Sequence, residues 1–181
     1  MMYLFSGKEK LAPRASNPEI LRSFLGGSLS ILTLLIMGKL SNNIFIMAPF
    51  GATCVILYAV AQSPLAQPRN VILGHFISAL VGLCFLKWFG VNLLSIAFSV
   101  GLAIALMQYF RCVHPPAGAN PLVILLTAHS FDYHWSFLIF PVLTGAIALV
   151  CVAYFVNNFK TKQKWPNYGL ALWESKKKSY H

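Results

Sequence analysis

Five ionisable side chains stand in or beside long apolar stretches of this chain: Arg69, His75, Arg111, His114 and His129. An ionisable group in such a setting is expensive unless it has a partner or a task, so each is a candidate for binding, gating or proton movement. His114 directly precedes a Pro-rich break, and an imidazole that titrates near neutral pH suits coupling of a proton to a solute. His75 follows Gly74 about one turn into an apolar segment, where a hydrogen-bonded packing role and a ligand role both remain open. Arg69, in Gln67-Pro68-Arg69-Asn70, and Arg111 either anchor the chain at the membrane face or attract and gate an anion, with Asn70 beside the first of them.

A second feature is a repeated backbone break. Pro49-Phe50-Gly51-Ala52-Thr53 and Pro116-Ala117-Gly118-Ala119-Asn120 share the pattern P-x-G-A at an offset of 67 residues, the second preceded by His114-Pro115. Proline suits a first helical position because its missing N–H would have had no intrahelical partner, and glycine lets a backbone or ligand come close. The N–H groups of such a start, with the positive end of the helix dipole, favour a small anion, and Thr53 and Asn120 follow at matching places as side-chain donors. The plainer reading is that both motifs are points where membrane helices pack tightly.

Absent chemistry narrows the field. The four acidic residues, Glu9, Glu19, Asp132 and Glu174, all fall outside the apolar stretches, which argues against carboxylate acid/base chemistry there and against a cation carrier. No nucleophile, phosphate-loop or zinc-protease pattern occurs, so an enzyme is not expected. His129, Asp132 and His134 offer three ligand types without a fourth, and read as a solvated loop with no metal; no cofactor is expected. Cys54, Cys84, Cys112 and Cys151 stand singly, without C-x-x-C spacing, as buried small hydrophobes.

These residues must be positioned by elements that live in lipid. Of 181 residues, 57% are hydrophobic and 10% charged, far from the roughly 25% charged content of a soluble domain. Mean hydropathy is +0.67. The net charge of +10 does not point to nucleic acid, because the basic residues avoid the apolar runs and gather at the ends and connections. Apolar stretches lie near 21–38, 43–61, 71–89, 91–110, 116–129 and 135–157, after an N-terminal segment 1–20 and before a basic tail 158–181. The spacing predicts an all-α membrane protein of about six transmembrane segments in two inverted groups of three, the middle segment of each short or broken at P-x-G-A. If all six cross, every basic residue of the 14 except Lys39 and Lys87 falls on the side that holds both termini, the cytoplasmic one. Four crossings with two re-entrant segments give the same ends. Trp88, Trp135 and Trp165 suit an interfacial belt, and the tail from Lys160 a strip lying along anionic lipid. The N-terminus is not expected to be a cleaved signal, since its first apolar run follows Arg14 and Arg22 and has no small-x-small site after it.

Three separated motifs carry a resemblance. Ala48-Pro49-Phe50-Gly51-Ala52, then Ser63-Pro64-Leu65-Ala66-Gln67-Pro68-Arg69-Asn70-Val71 with Gly74-His75, then His114-Pro115-Pro116-Ala117-Gly118-Ala119 stand in the order found in the HPP family of integral membrane proteins, which this chain resembles over roughly residues 45–128. Members in cyanobacteria and chloroplast envelopes are associated with nitrite transport, so the resemblance implies a small-anion permease. Asn120-Pro121 stands where the family more often carries Thr and a small residue.

The expectation is a bacterial inner-membrane permease or channel for a small anion, nitrite first, surrounded by lipid and assembled from several copies of the chain. The P-x-G-A starts would bind the anion, Arg69 and Arg111 would attract it, and His75 and His114 would tune or couple the step. Two other classes remain: a membrane redox or haem protein using His75, His114 and His129 with the cysteines, and a non-transporting subunit of a larger membrane assembly.

Overall fold

The computed structural model of the chain describes residues 13–42 and 45–170. Lys8, Glu9, Lys10, Glu174 and Lys176 to Lys178, used above in placing the termini and the charges, lie outside the described residues. The apolar stretches form six α-helices, and no strand occurs among the described residues: α1 (Asn17–Ser41), α2 (Ala48–Ala59), α3 (Pro68–Phe89), α4 (Leu93–Tyr109), α5 (Asn120–Leu126) and α6 (Thr144–Asn158). Their starts follow from local chemistry. The Glu19 carboxylate accepts from the Ser16 N–H at 2.8 Å and the Ser16 hydroxyl at 2.7 Å, closing the first turn of α1. Proline opens α2 and α3, and Asn92 Oδ1 takes the Ser95 N–H at 2.9 Å to begin α4.

Three stretches, Asn17–Ser41, Pro68–Phe89 and Trp135–Asn158, are long and apolar enough to cross a membrane. The two middle segments are short. α2 has 12 residues, and Pro115–Ala119 is a five-residue 3-10 turn that runs into the seven residues of α5. Twelve residues rise about 18 Å as an α-helix, against a hydrocarbon core of about 30 Å. Length therefore supports the expected short middle segments but not six complete crossings. The last segment is also less regular than its sequence suggests: Phe140 (φ −123, ψ 114) breaks it before Pro141, because proline disfavours helical geometry in the residue before it.

α3 is the hub, packed against α4, α5, α6 and the Pro115–Ala119 turn. Gly74, Ser78 and Gly82 recur every fourth residue along one buried face of α3, and the closeness of its neighbours explains their size. A Cβ at Gly74 would stand 2.8 Å from the His114 Cβ, and one at Gly82 would stand 2.9 Å from the Pro121 Cα. On α2, Phe50, Thr53, Cys54, Leu57 and Tyr58 form one buried stripe of helical period, and the Phe50 ring lies where a Cβ on Gly145 of α6 would come within 2.6 Å of it. α1 is peripheral: only Gly26, Ser30 and Leu34 are buried, clipped to α2 by Tyr58, whose hydroxyl meets Ser30 Oγ at 2.6 Å.

The contacts also give direction. His114 lies at Gly74 and Pro121 at Gly82, so the stretch through α5 runs along α3. α2 runs the other way, from Thr53 beside His75 to the Ala61 carbonyl just past its end, which accepts from Gln67 Nε2 at 3.1 Å immediately ahead of α3. Several of the described basic residues collect at one end of the bundle, while Lys39 and Lys87 stand in the last turns of α1 and α3. Arg14, Arg22, Lys160 and Lys162 line one cleft of about 1040 Å³, and Arg69 donates to the carbonyls of Phe110 (2.8 Å), Arg111 (3.3 Å) and Leu170 (2.8 Å).

Two expectations need correction. Trp88, Trp135 and Trp165 are expected in an interfacial belt, and all four cysteines in buried positions. Trp88 and Trp135 are exposed, but Trp165 is only 2% exposed and packs in the core. The cause is polar pairing. Asn158 Nδ2 donates to the Trp165 carbonyl at 2.6 Å, and the buried Gln67 side chain needs the Asn167 N–H, which its Oε1 accepts at 2.8 Å. Of the four cysteines, all free thiols, Cys54 and Cys112 are buried as expected, Cys84 is half-buried and Cys151 exposed, because lipid-facing helix surfaces tolerate a thiol.

Trp165→Ala is expected to cost about 3–5 kcal/mol, and Trp88→Ala less than about 0.5 kcal/mol, in unfolding of the detergent-solubilised protein. Gly82→Ala should lose about 1–3 kcal/mol through overpacking against Pro121, whereas Gly118→Ala, whose Cβ meets nothing within 4 Å, should melt like the parent in the same assay.

Candidate functional site

Side chains singled out on four separate stretches converge, joined by Ser78. Thr53 on α2, His75 and Ser78 on α3, His114 ahead of the 3-10 turn and Asn120 at the start of α5 are all fully buried. Thr53 Oγ1 lies 2.8 Å from His75 Nε2 and 2.9 Å from His114 Nε2, and also 3.0 Å from the Pro49 carbonyl. The imidazole centroids are 5.1 Å apart, and the Phe50 ring meets His75 edge-on at 5.0 Å.

The outer partners fix where each ring carries its hydrogen. The Leu65 carbonyl, 2.8 Å from His114 Nδ1, can only accept, so that nitrogen bears the hydrogen. The Asn120 amide group lies 3.0 Å from the His75 carbonyl, which again can only accept, so the atom facing it is Nδ2. The same Nδ2 stands 3.1 Å from His75 Nδ1, which is therefore bare, and His75 bears its hydrogen on Nε2. Ser78 Oγ, 2.8 Å from Asn120 Nδ2, is a third acceptor that shares the two amide hydrogens with the His75 atoms, and it donates to the His75 carbonyl at 3.1 Å. Asn120 Oδ1 is buried without a hydrogen-bond partner, an acceptor held open beside the pair.

Around this centre the remaining expected residues act as supports. Asn70 Nδ2 donates to the Val113 carbonyl at 2.8 Å and its Oδ1 accepts from the Tyr168 hydroxyl at 3.0 Å, fixing the backbone that leads into His114. Arg69, through its three carbonyl contacts, braces the end of α4 and the tail against α3. Arg111 is exposed at φ 54 and closes α4 in the left-handed conformation.

The two motifs themselves behave differently from expectation. The first is an α-helix start, but the second is a short 3-10 turn, because Pro121 has no N–H to bond four residues back to the Ala117 carbonyl, which takes the Asn120 N–H instead, and α5 begins only at Asn120. Gly51 and Ala52 are exposed, Gly118 and Ala119 half-buried, and a Cβ on either glycine meets nothing within 4 Å, so neither glycine is a point of tight packing within the chain. Two of the N–H groups expected to face a ligand are used locally, Phe50 to the Met47 carbonyl at 2.9 Å and Ala117 to the His114 carbonyl at 3.0 Å. Pro49, Pro116 and Ala117 are buried and shape the turns; Pro115 is exposed. His129 is exposed and apart from the centre, and Asp132 and His134 form a solvated pair at 3.2 Å.

Sequence reasoning missed Ser78, Gln67 and the Leu65 carbonyl. The four-residue spacing of Gly74, Ser78 and Gly82 was a readable sign of a close-packed face. Nothing local marks a backbone carbonyl as the partner of a histidine 49 residues away.

Comparison with known proteins supplies the family. The HPP transmembrane region matches residues 12–166. Two transmembrane proteins of Dictyostelium discoideum are 34% and 33% identical over 92% and 90% of this chain. The chain spans 61% and 55% of their lengths. No solved structure matches. With three helices able to cross a membrane and a family match over most of its length, the chain belongs to the HPP transmembrane family.

Proposed function

We propose that the protein passes a small monovalent anion across the membrane, nitrite being the leading candidate, and that the Thr53–His75–His114–Asn120 centre lies on its path. One observation carries this reading: a fully buried polar centre stands among apolar helices on elements that hold no carboxylate. A cation there would have no counter-charge, while the N-terminal end of α2 favours negative charge. The resemblance to family members associated with nitrite transport points the same way.

In this reading the exposed backbone at Gly51 and Ala52 is the approach, and Phe50, edge-on to His75 and seated on Gly145, is the gate. Arg69 and Arg111 hold a positive field at the basic end. The opposite directions of α2 and α5 support two inverted groups of three segments, and the basic residues gathered at one end support cytoplasmic termini in a plasma membrane, the bacterial inner membrane in the sequence reading. The thin bundle is completed by association with further copies. The haem alternative fits poorly, because both Nε2 atoms converge on one hydroxyl and no gap for iron and porphyrin lies between them.

Nitrite, nitrate and chloride flux into vesicles containing the full chain tests the proposal. Gly51→Leu and Gly118→Leu project into open space and should fold normally, so a fall in flux of about tenfold or more reads obstruction of the path and not damage to the core. Absence of flux in the parent protein, or unchanged flux in both variants, overturns the assignment. Phe50→Ala should raise flux and blunt discrimination between the three anions, measured in the same vesicles.

A further inference from the structure

The Thr53 hydroxyl has one hydrogen to give, and three groups surround it that are able to use it or fill its lone pairs. With both imidazoles neutral, the tautomers fixed above leave a single consistent pattern: His75 Nε2–H donates to Thr53 Oγ1, and Thr53 O–H donates to His114 Nε2. The Pro49 carbonyl, 3.0 Å away, is then a spare acceptor. A second pattern satisfies the same atoms when one proton is added. If His114 Nε2 gains a hydrogen, it becomes a donor to Thr53 Oγ1, which accepts from both rings through its two lone pairs. The Thr53 hydrogen turns to the Pro49 carbonyl. Only a rotation about one C–O bond separates the two states, and in both every hydrogen at the centre has an acceptor. His75 keeps its tautomer, because Asn120 Nδ2 occupies its other nitrogen in both.

The loaded state carries one positive charge. The other titratable or charged groups on the stretches packed around the pair are Cys54 and Tyr58 on α2, Arg69, Cys84 and Lys87 on α3, and Arg111 and Cys112 before His114; α5 and the Pro141–Leu149 stretch facing Phe50 have none. None is a carboxylate, so the molecule supplies no counter-charge, and a lone buried imidazolium is costly. An anion arriving at the centre cancels that cost, and by linkage the proton raises the affinity for the anion as much as the anion raises the affinity for the proton.

We propose that His114, switched through the Thr53 hydroxyl between the His114 ring and the Pro49 carbonyl, takes up a single proton with each anion, so that the pair crosses together as a neutral load. The anion half of this proposal rests on the permease reading; the proton-loading half does not. In the balanced step, a proton bonds to the His114 Nε2 lone pair as the anion binds, and both leave together; no covalent bond to the protein forms otherwise and nothing is oxidised or reduced.

Two measurements on the full chain test it. In vesicles with the membrane potential clamped, nitrite entry and internal pH are followed together, against protein-free vesicles. The expected ratio is about one proton per nitrite. Thr53→Ser should keep that ratio, and Thr53→Val, which keeps the shape but removes the switching oxygen, should lower proton uptake per nitrite by about tenfold. Nitrite flux without accompanying protons, or an unchanged ratio in Thr53→Val, overturns the coupling while leaving the permease standing. If no anion moves at all, nitrogen-15 histidine spectra in lipid discs still decide the proton-loading half. Opposite neutral tautomers at the two rings, with one proton gained at His114 and lost as a distinct step in Thr53→Val, uphold it. The same tautomer at both rings, or first uptake at His75, overturns it.

Discussion

One hydroxyl with a single hydrogen to share ties α2, α3 and the turn before α5 together at the centre of the bundle. The constraint behind it is solvation. Two imidazoles, a carboxamide and two hydroxyls are buried where water is scarce, and an orphaned buried polar group costs about 1–3 kcal/mol. All but Asn120 Oδ1 are therefore met by another part of the chain. The geometry of four elements follows from meeting them, with the Leu65 carbonyl and Asn120 Nδ2 setting the outer ends of the network. Such a network resists piecemeal change, because removing one member leaves the next one unpaired.

Close approach makes that network possible, and the glycines responsible are not the ones that draw the eye. Gly74 lets the His114 backbone come down onto α3, and Gly145 gives the Phe50 ring its seat. Gly51 and Gly118, in the repeated motifs, lie against open space. Within a single chain the motif glycines therefore do no packing, and their backbone stays accessible. Prolines in the same motifs have the opposite role: Pro49 and Pro116 are buried and decide where helical hydrogen bonding starts.

The helical class and the six α-helices were readable from apolar runs and their proline and glycine boundaries. So were the candidates themselves, because Thr53, His75, His114 and Asn120 are polar residues in an apolar context, and such residues need partners. What could not be read was who partners whom. Thr53 and Asn120 looked equivalent by position, yet one bridges both rings and the other only orients one of them. The 3-10 form of the second motif was equally hidden, since P-x-G-A reads the same whether the following N–H groups bond three or four residues back. Trp165 misled for a physical reason. Near a segment end its amphipathic ring suits the interface, and only the distant amide of Gln67 and the side chain of Asn158 draw its segment inward.

That inward fold has a temporal side. Asn167 reaches Gln67 across 100 residues of sequence, and Leu170 reaches Arg69 across 101. The loop they hold carries Leu65, whose carbonyl orients His114. During synthesis the helices can emerge and begin to associate well before this clasp exists, since contacts of such long sequence separation form only when nearly the whole described chain has been made. Residues 167–170, late among those described, thus complete the orientation of a ring buried deep in the bundle, and a nascent chain arrested shortly before them holds its helices without a finished centre.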